Sequence, residues 1–123
     1  MTLQELYQAI DGSYEQAQKV LRMDKLIDKH IRKLPANTVF SSLIAAGESL
    51  DPTALFENAH AVKGVCANLG LVKLSLAASE ISEEFRPGNS RRMTDDEVRE
   101  KLEEIKRMYE TAKEEIEKYS QSV

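Results

Sequence analysis

Glycine and proline punctuate this chain, and their placement fixes what it can build. All five glycines and three prolines except Gly64 fall between stretches whose apolar residues recur every three or four positions. That spacing marks one face of an α-helix, and the alternation of a half-buried strand is absent. The chain is therefore expected to be all-α: an up-and-down helical bundle with a short extra N-terminal helix and a long C-terminal helix.

Capping signals set the segments. Thr2-Leu3-Gln4-Glu5 is a capping box opening a short helix to about Ile10, broken by Asp11-Gly12. Ser13-Tyr14-Glu15-Gln16 is a second box, and helical pattern then runs to Leu34, stopped by Pro35. Tyr14, Ala17 and Leu21 share one face while Ile27, Ile31 and Leu34 share another, so a break is expected near Arg22–Asp24. Asn37 or Thr38 caps a helix bearing Val39, Leu43 and Ile44 through Ala46, with Gly47 as its stop. Asp51-Pro52 starts a helix reading to Leu69, with Gly70 as terminator. Leu74, Ala78, Ile81 and Phe85 mark the next helix, and Pro87 to Met93 reads as a polar loop containing Arg91 and Arg92. Thr94-Asp95-Asp96-Glu97 opens the last helix, whose Val98, Leu102, Ile105, Tyr109, Ala112, Ile116 and Tyr119 form an unbroken seam. Glu97/Lys101, Glu103/Arg107 and Glu114/Lys118 are spaced as exposed ion pairs. Residues 1–12 thus read as a helical cap and 13–119 as the bundle of a single domain. The seam of the last helix is explained by packing inside the bundle, and a monomer is expected.

Composition narrows the function. One cysteine excludes an intramolecular disulfide framework and any multi-cysteine metal site. A net charge of −4 argues against a nucleic-acid binder, and five glycines leave little room for a glycine-rich nucleotide-binding domain. No basic leader with an apolar run opens the chain, and no apolar stretch approaches the ~20 residues of a membrane span. A cytoplasmic, reduced setting is expected, without nucleic-acid or membrane partners.

The segment from Asp51 to Gly70 carries the chemistry. Leu55, Ala59, Val62, Cys66 and Leu69 form its core stripe, with Cys66 as a small buried apolar residue. His60 lies about 140° from Leu55 on the helical wheel, pointing outward. Lys63 and Gly64, at i+3 and i+4, share its surface, and Ala67 lies just beyond. A mid-helix glycine costs roughly 0.5–1 kcal/mol relative to alanine. Either another body approaches that surface closely, or a neighbouring helix packs against it. Neutral imidazole is a nucleophile near pH 7. A phosphoryl group on it would need a nearby cation, which Lys63 supplies. His30, among Lys29, Arg32 and Lys33 with no glycine gap, reads as plain surface. His60 with Glu57 offers too few ligands for a metal.

His60-Ala61-Val62-Lys63-Gly64, followed by Asn68-Leu69-Gly70, resembles the H-x-x-K-G-x-x-x-x-x-G signature of histidine-containing phosphotransfer (HPt) domains. The placement in a long helix followed by an antiparallel one is also similar, as is the Ala45-Ala46-Gly47 turn leading through Asp51, and the resemblance implies an up-and-down antiparallel four-helix bundle. Many relatives carry Ser or Thr and then Leu after the histidine, where Ala61 and Val62 stand here. The resemblance implies that His60 is the phosphoacceptor, that Lys63 stabilises phosphate charge, and that Gly64 clears space for a docking receiver domain. It implies a phosphocarrier in a two-component phosphorelay, a stand-alone bacterial member of the family. The carrier would accept a phosphoryl group from a receiver-domain phosphoaspartate and pass it to another receiver. Response-regulator receivers and a hybrid sensor histidine kinase are the expected partners. No cofactor is expected on this chain, Mg²⁺ being supplied by the receiver, and no ATP-dependent kinase activity of its own. Phe56, Glu57, Ala67 and Lys73 are the candidate docking residues around His60. The competing reading is an adaptor that binds a receiver or a partner helix without being phosphorylated.

Overall fold

The computed structural model describes residues 1–121, and every regular element among them is helical. In chain order these are α1 (Leu3–Ala9), α2 (Tyr14–Leu21), α3 (Asp24–Lys33), a 3₁₀ turn (Leu34–Ala36), α4 (Val39–Ser49), α5 (Pro52–Asn68), α6 (Val72–Glu84) and α7 (Asp95–Gln121). Helix α4 packs on α5, α5 on α6, α6 on α7, and α7 returns to α4, which closes the four-helix bundle. Helices α1 and α3 lie against α7, and α2 lies against α5. No helix among the described residues is long and apolar enough to cross a membrane.

The apolar stripes meet in one core. Leu55, Ala59, Val62 and Cys66 of α5 are buried, with Leu74, Ala78 and Ile81 of α6 and Val98, Leu102, Ile105, Ala112 and Ile116 of α7. Tyr109, in the same seam, is half-buried. It stacks on Phe40 with centroids 4.0 Å apart, and its hydroxyl donates to the Pro35 carbonyl at 3.2 Å. The N-terminal segment is part of this core. Leu6 and Tyr7 are buried, and the Tyr7 hydroxyl donates to the Leu69 carbonyl at 2.5 Å. The last turns of α7 reach α3, where Tyr119 donates to Asp28. Arg32 pairs with the same carboxylate at 2.9 Å and stands 4.7 Å from the Tyr119 ring centroid.

Both halves of the capping boxes at Thr2 and Thr94 form. At Ser13 only one half does: its hydroxyl accepts from the Gln16 N–H. The Ser13 N–H instead donates to the Gly70 carbonyl at 2.7 Å, so a tertiary bond replaces the expected return bond from Gln16. The expected break falls at Arg22, which ends α2 in the left-handed conformation at φ 68°. Lys101 does not pair with Glu97 but crosses to Glu80 of α6 at 2.8 Å.

Gly47 does not stop α4, which continues to Ser49 and ends at a left-handed Leu50. A Cβ on Gly47 would come within 2.4 Å of Leu102 Cδ1, so this glycine serves close packing of α4 on α7. Gly70 is a true terminator. Its φ is +71°, and a Cβ there would sit 2.2 Å from the Ser13 carbonyl oxygen.

The loop after α6 is anchored by a residue that the apolar pattern leaves out. Glu84 is buried and accepts from Arg91 Nε at 2.7 Å and from the backbone N–H groups of Arg92 and Met93. Burial opposes its ionisation, but the Arg91 guanidinium and the two N–H groups outweigh burial and hold the carboxyl below the usual range. A carboxyl lowered on folding stabilises above its unfolded value, and that contribution is lost as pH falls through the folded one. Glu84→Gln is expected to cost about 1.5–3 kcal/mol at neutral pH. The gap between variant and parent should narrow as pH drops below the ordinary glutamate range. Urea unfolding at neutral and acidic pH measures both.

Candidate functional site

Helix α5 is started firmly and aimed by its core stripe. Asp51 Oδ1 accepts from the Thr53 and Ala54 N–H groups, and Pro52 occupies the first turn, where its missing N–H costs nothing. Burial of Leu55, Ala59, Val62 and Cys66 then leaves His60, Ala61 and Gly64 exposed, with Lys63 and Ala67 half-buried. Burial pushes the Cys66 thiol up to about 12, which keeps it a protonated core group.

A Cβ placed on Gly64 would meet nothing within 4 Å. The bundle therefore does not require this glycine, in contrast to Gly47 and Gly70. Of the two accounts of a mid-helix glycine beside His60, packing by a neighbouring helix is removed.

The His60 ring makes no hydrogen bond to the described residues, so its nitrogens face solvent. Its neighbour is the half-buried Phe56 ring, 6.0 Å away and inclined by 23°. Phe56 also carries the Arg86 guanidinium, 5.5 Å from its centroid. Arg86 is held by Glu83, with Nη2 2.8 Å and Nε 3.1 Å from Oε1. The Arg86 hydrogen bond lowers the Glu83 carboxyl against the cost of desolvation, and the charges of Arg86 and Lys63 act in the same direction. Lys63 makes no ion pair with the described residues, so its ammonium is not committed to a carboxylate. The flank of His60 toward α6 thus holds two cations, one carboxylate and an aromatic ring.

The other candidates are distributed unevenly. Ala67 continues the His60 surface along α5, while Glu57 is exposed on the opposite flank from Phe56, about 100° away on the wheel. Lys73 does not join this surface. It pairs with Asp11 and lines a groove with Glu104, Arg107 and Met108. It lies about 200° around α6 from Ser75, whose hydroxyl donates to the Lys63 carbonyl at 3.3 Å. His30 is exposed and lines a separate groove with Leu21 and Val65. Arg86 and Glu83 are the neighbours that sequence reasoning missed. Only the antiparallel register of α5 and α6 brings Arg86 to Phe56 across thirty positions of chain.

The arrangement is an outward imidazole with solvent-facing nitrogens, an uncommitted ammonium one turn away, and open space beside both. No curated protein and no solved structure gives a match to the chain. Residues 1–115 match the family described as Hpt domain. The match covers nearly the whole chain, including every residue of the site, and the chain belongs to the Hpt domain family, the histidine phosphotransfer modules of phosphorelays.

Proposed function

We propose that His60 is the phosphoacceptor, that Lys63 stabilises the phosphoryl charge, and that Gly64 provides clearance for a receiver domain. The observation that carries this reading is the empty space where a Gly64 side chain would stand, one turn from an exposed histidine. The lone pair of a solvent-facing His60 ring nitrogen attacks the phosphorus of a receiver phosphoaspartate. An N–P bond forms, the P–O bond to the aspartyl carboxylate breaks, and that carboxylate leaves with the electron pair. The other ring nitrogen carries the proton and exchanges it with water. Transfer to a second receiver runs the same step in reverse. Mg²⁺ belongs to the receiver's acidic pocket in this scheme, and the carrier contributes position and charge.

With a net charge of −4, the chain offers no long-range attraction to an acidic pocket, so recognition rests on the local surface. Response-regulator receivers and a hybrid sensor histidine kinase are the partners this reading calls for. The experiment is label transfer from a phosphorylated receiver, with Mg²⁺, to the parent chain and to Lys63→Ala. Loss of one charge-assisted contact to the phosphoryl group should slow transfer about tenfold. Unfolding free energy should stay within about 0.5 kcal/mol of the parent. An unchanged rate would remove Lys63 from the mechanism.

A further inference from the structure

Two of the five exposed large apolar side chains of the described residues, Val72 at 40% and Leu76 at 60%, stand one turn apart on α6. An exposed leucine alone is ordinary, but an apolar pair continuous with a functional surface marks a contact site. The packing of α5 on α6 supplies that continuity. The Ser75 hydroxyl bonds the Lys63 carbonyl, and the Leu71 N–H bonds the Cys66 carbonyl at 2.9 Å. These two bonds set the first turns of α6 beside the Lys63–Ala67 stretch of α5. On the α6 wheel, Val72 and Leu76 lie about 60° and 100° beyond Ser75, away from the core residue Leu74. They therefore lie on the outer side of the same turns of α6 that meet the Lys63–Ala67 stretch of α5.

The outer face of α6 is divided along its length. Its first two turns present Val72 and Leu76, while its last two present the exposed carboxylates Glu80 and Glu83. Glu80 and Glu83 are each tied to a cation, Lys101 and Arg86, whereas Val72 and Leu76 can be covered by an apolar surface without breaking an ion pair. Even a transient protein interface buries several hundred Å² per partner. His60, Gly64 and Ala67 are too small to supply that area.

We propose that Val72 and Leu76 form the α6 side of the docking surface, where an apolar rim of the receiver domain seats as its phosphoaspartate reaches His60. This rests on the reading of His60 as phosphoacceptor, and the test keeps the two claims apart. Val72→Gln/Leu76→Gln, Val20→Gln/Met23→Gln and His60→Gln are compared with the parent. One donor is phosphoramidate, a small molecule that needs no docking. The other is a receiver domain charged with acetyl phosphate and selected because it transfers to the parent chain. The α6 double variant should accept phosphate from phosphoramidate at the parental rate. With the receiver, its KM should rise about tenfold or more at an unchanged saturating rate. The pair at Val20 and Met23, exposed near the end of α2, should leave the KM unchanged. A receiver KM for the α6 variant equal to the parent's overturns the proposal, as does a rise seen only in the α2 variant. Receiver labelling of His60→Gln would instead overturn the assignment of the acceptor.

Discussion

His60→Gln is expected to lose phosphate acceptance by at least about 10³-fold, as removal of a nucleophile does. Its unfolding free energy should stay within about 0.5 kcal/mol of the parent. The two halves of the result belong together. His60 lies outside the core stripe, and its contact with the fold is the ring of Phe56, so the substitution removes chemistry without opening a cavity. Glutamine keeps the length and polarity of the side chain but has no nucleophilic ring nitrogen. His30 offers no substitute, because it stands on α3 among Lys29, Arg32 and Lys33. Phosphoramidate labelling and urea unfolding of one preparation report both quantities.

Gly64→Gln should move stability and function in opposite directions. Glycine inside a helix is less favourable than glutamine by roughly 0.5–1 kcal/mol, and a Cβ at this position meets no atom of the chain. The variant should therefore unfold at higher urea concentration than the parent. Its longer side chain fills the space a receiver needs beside His60, so receiver transfer should fall by about 10- to 100-fold, the loss a small misplacement of reacting groups can bring. Phosphoramidate labelling should be nearly unaffected. A variant that is more stable and still accepts from the receiver at the parental rate would show that the gap serves no partner.

The fold is legible where local chemistry and tertiary contacts agree. The capping boxes at Thr2 and Thr94, the Asp51-Pro52 start and the α7 seam need only spacing and side-chain type. The order of helices follows from where these signals fall. Reading fails where a residue answers to a distant partner. Gly47 looks like a stop because glycine ends helices, yet the cause of its smallness is Leu102 on another helix. Ser13 gives its N–H to Gly70 rather than to Gln16. Glu84 falls outside the apolar pattern, and its burial follows from a loop that folds back onto it. The same division holds at the candidate site. His60, Lys63 and Gly64 lie within one turn and a half of helix and can be read from spacing. Arg86 and Glu83 depend on the register of two helices, and Lys73, one position from a helix start, is turned away by its pairing with Asp11.

The central claim is that phosphate comes to rest on His60, and the most direct measurement is its location after incubation with a phosphorylated receiver and Mg²⁺. Mass spectrometry of the intact chain under alkaline conditions, followed by peptide mapping, gives stoichiometry and position together. The account predicts up to one phosphoryl group per chain, labile to acid and stable to base, on the peptide containing His60. A chain that binds the receiver tightly while His60 stays unmodified would contradict it and identify an adaptor rather than a carrier.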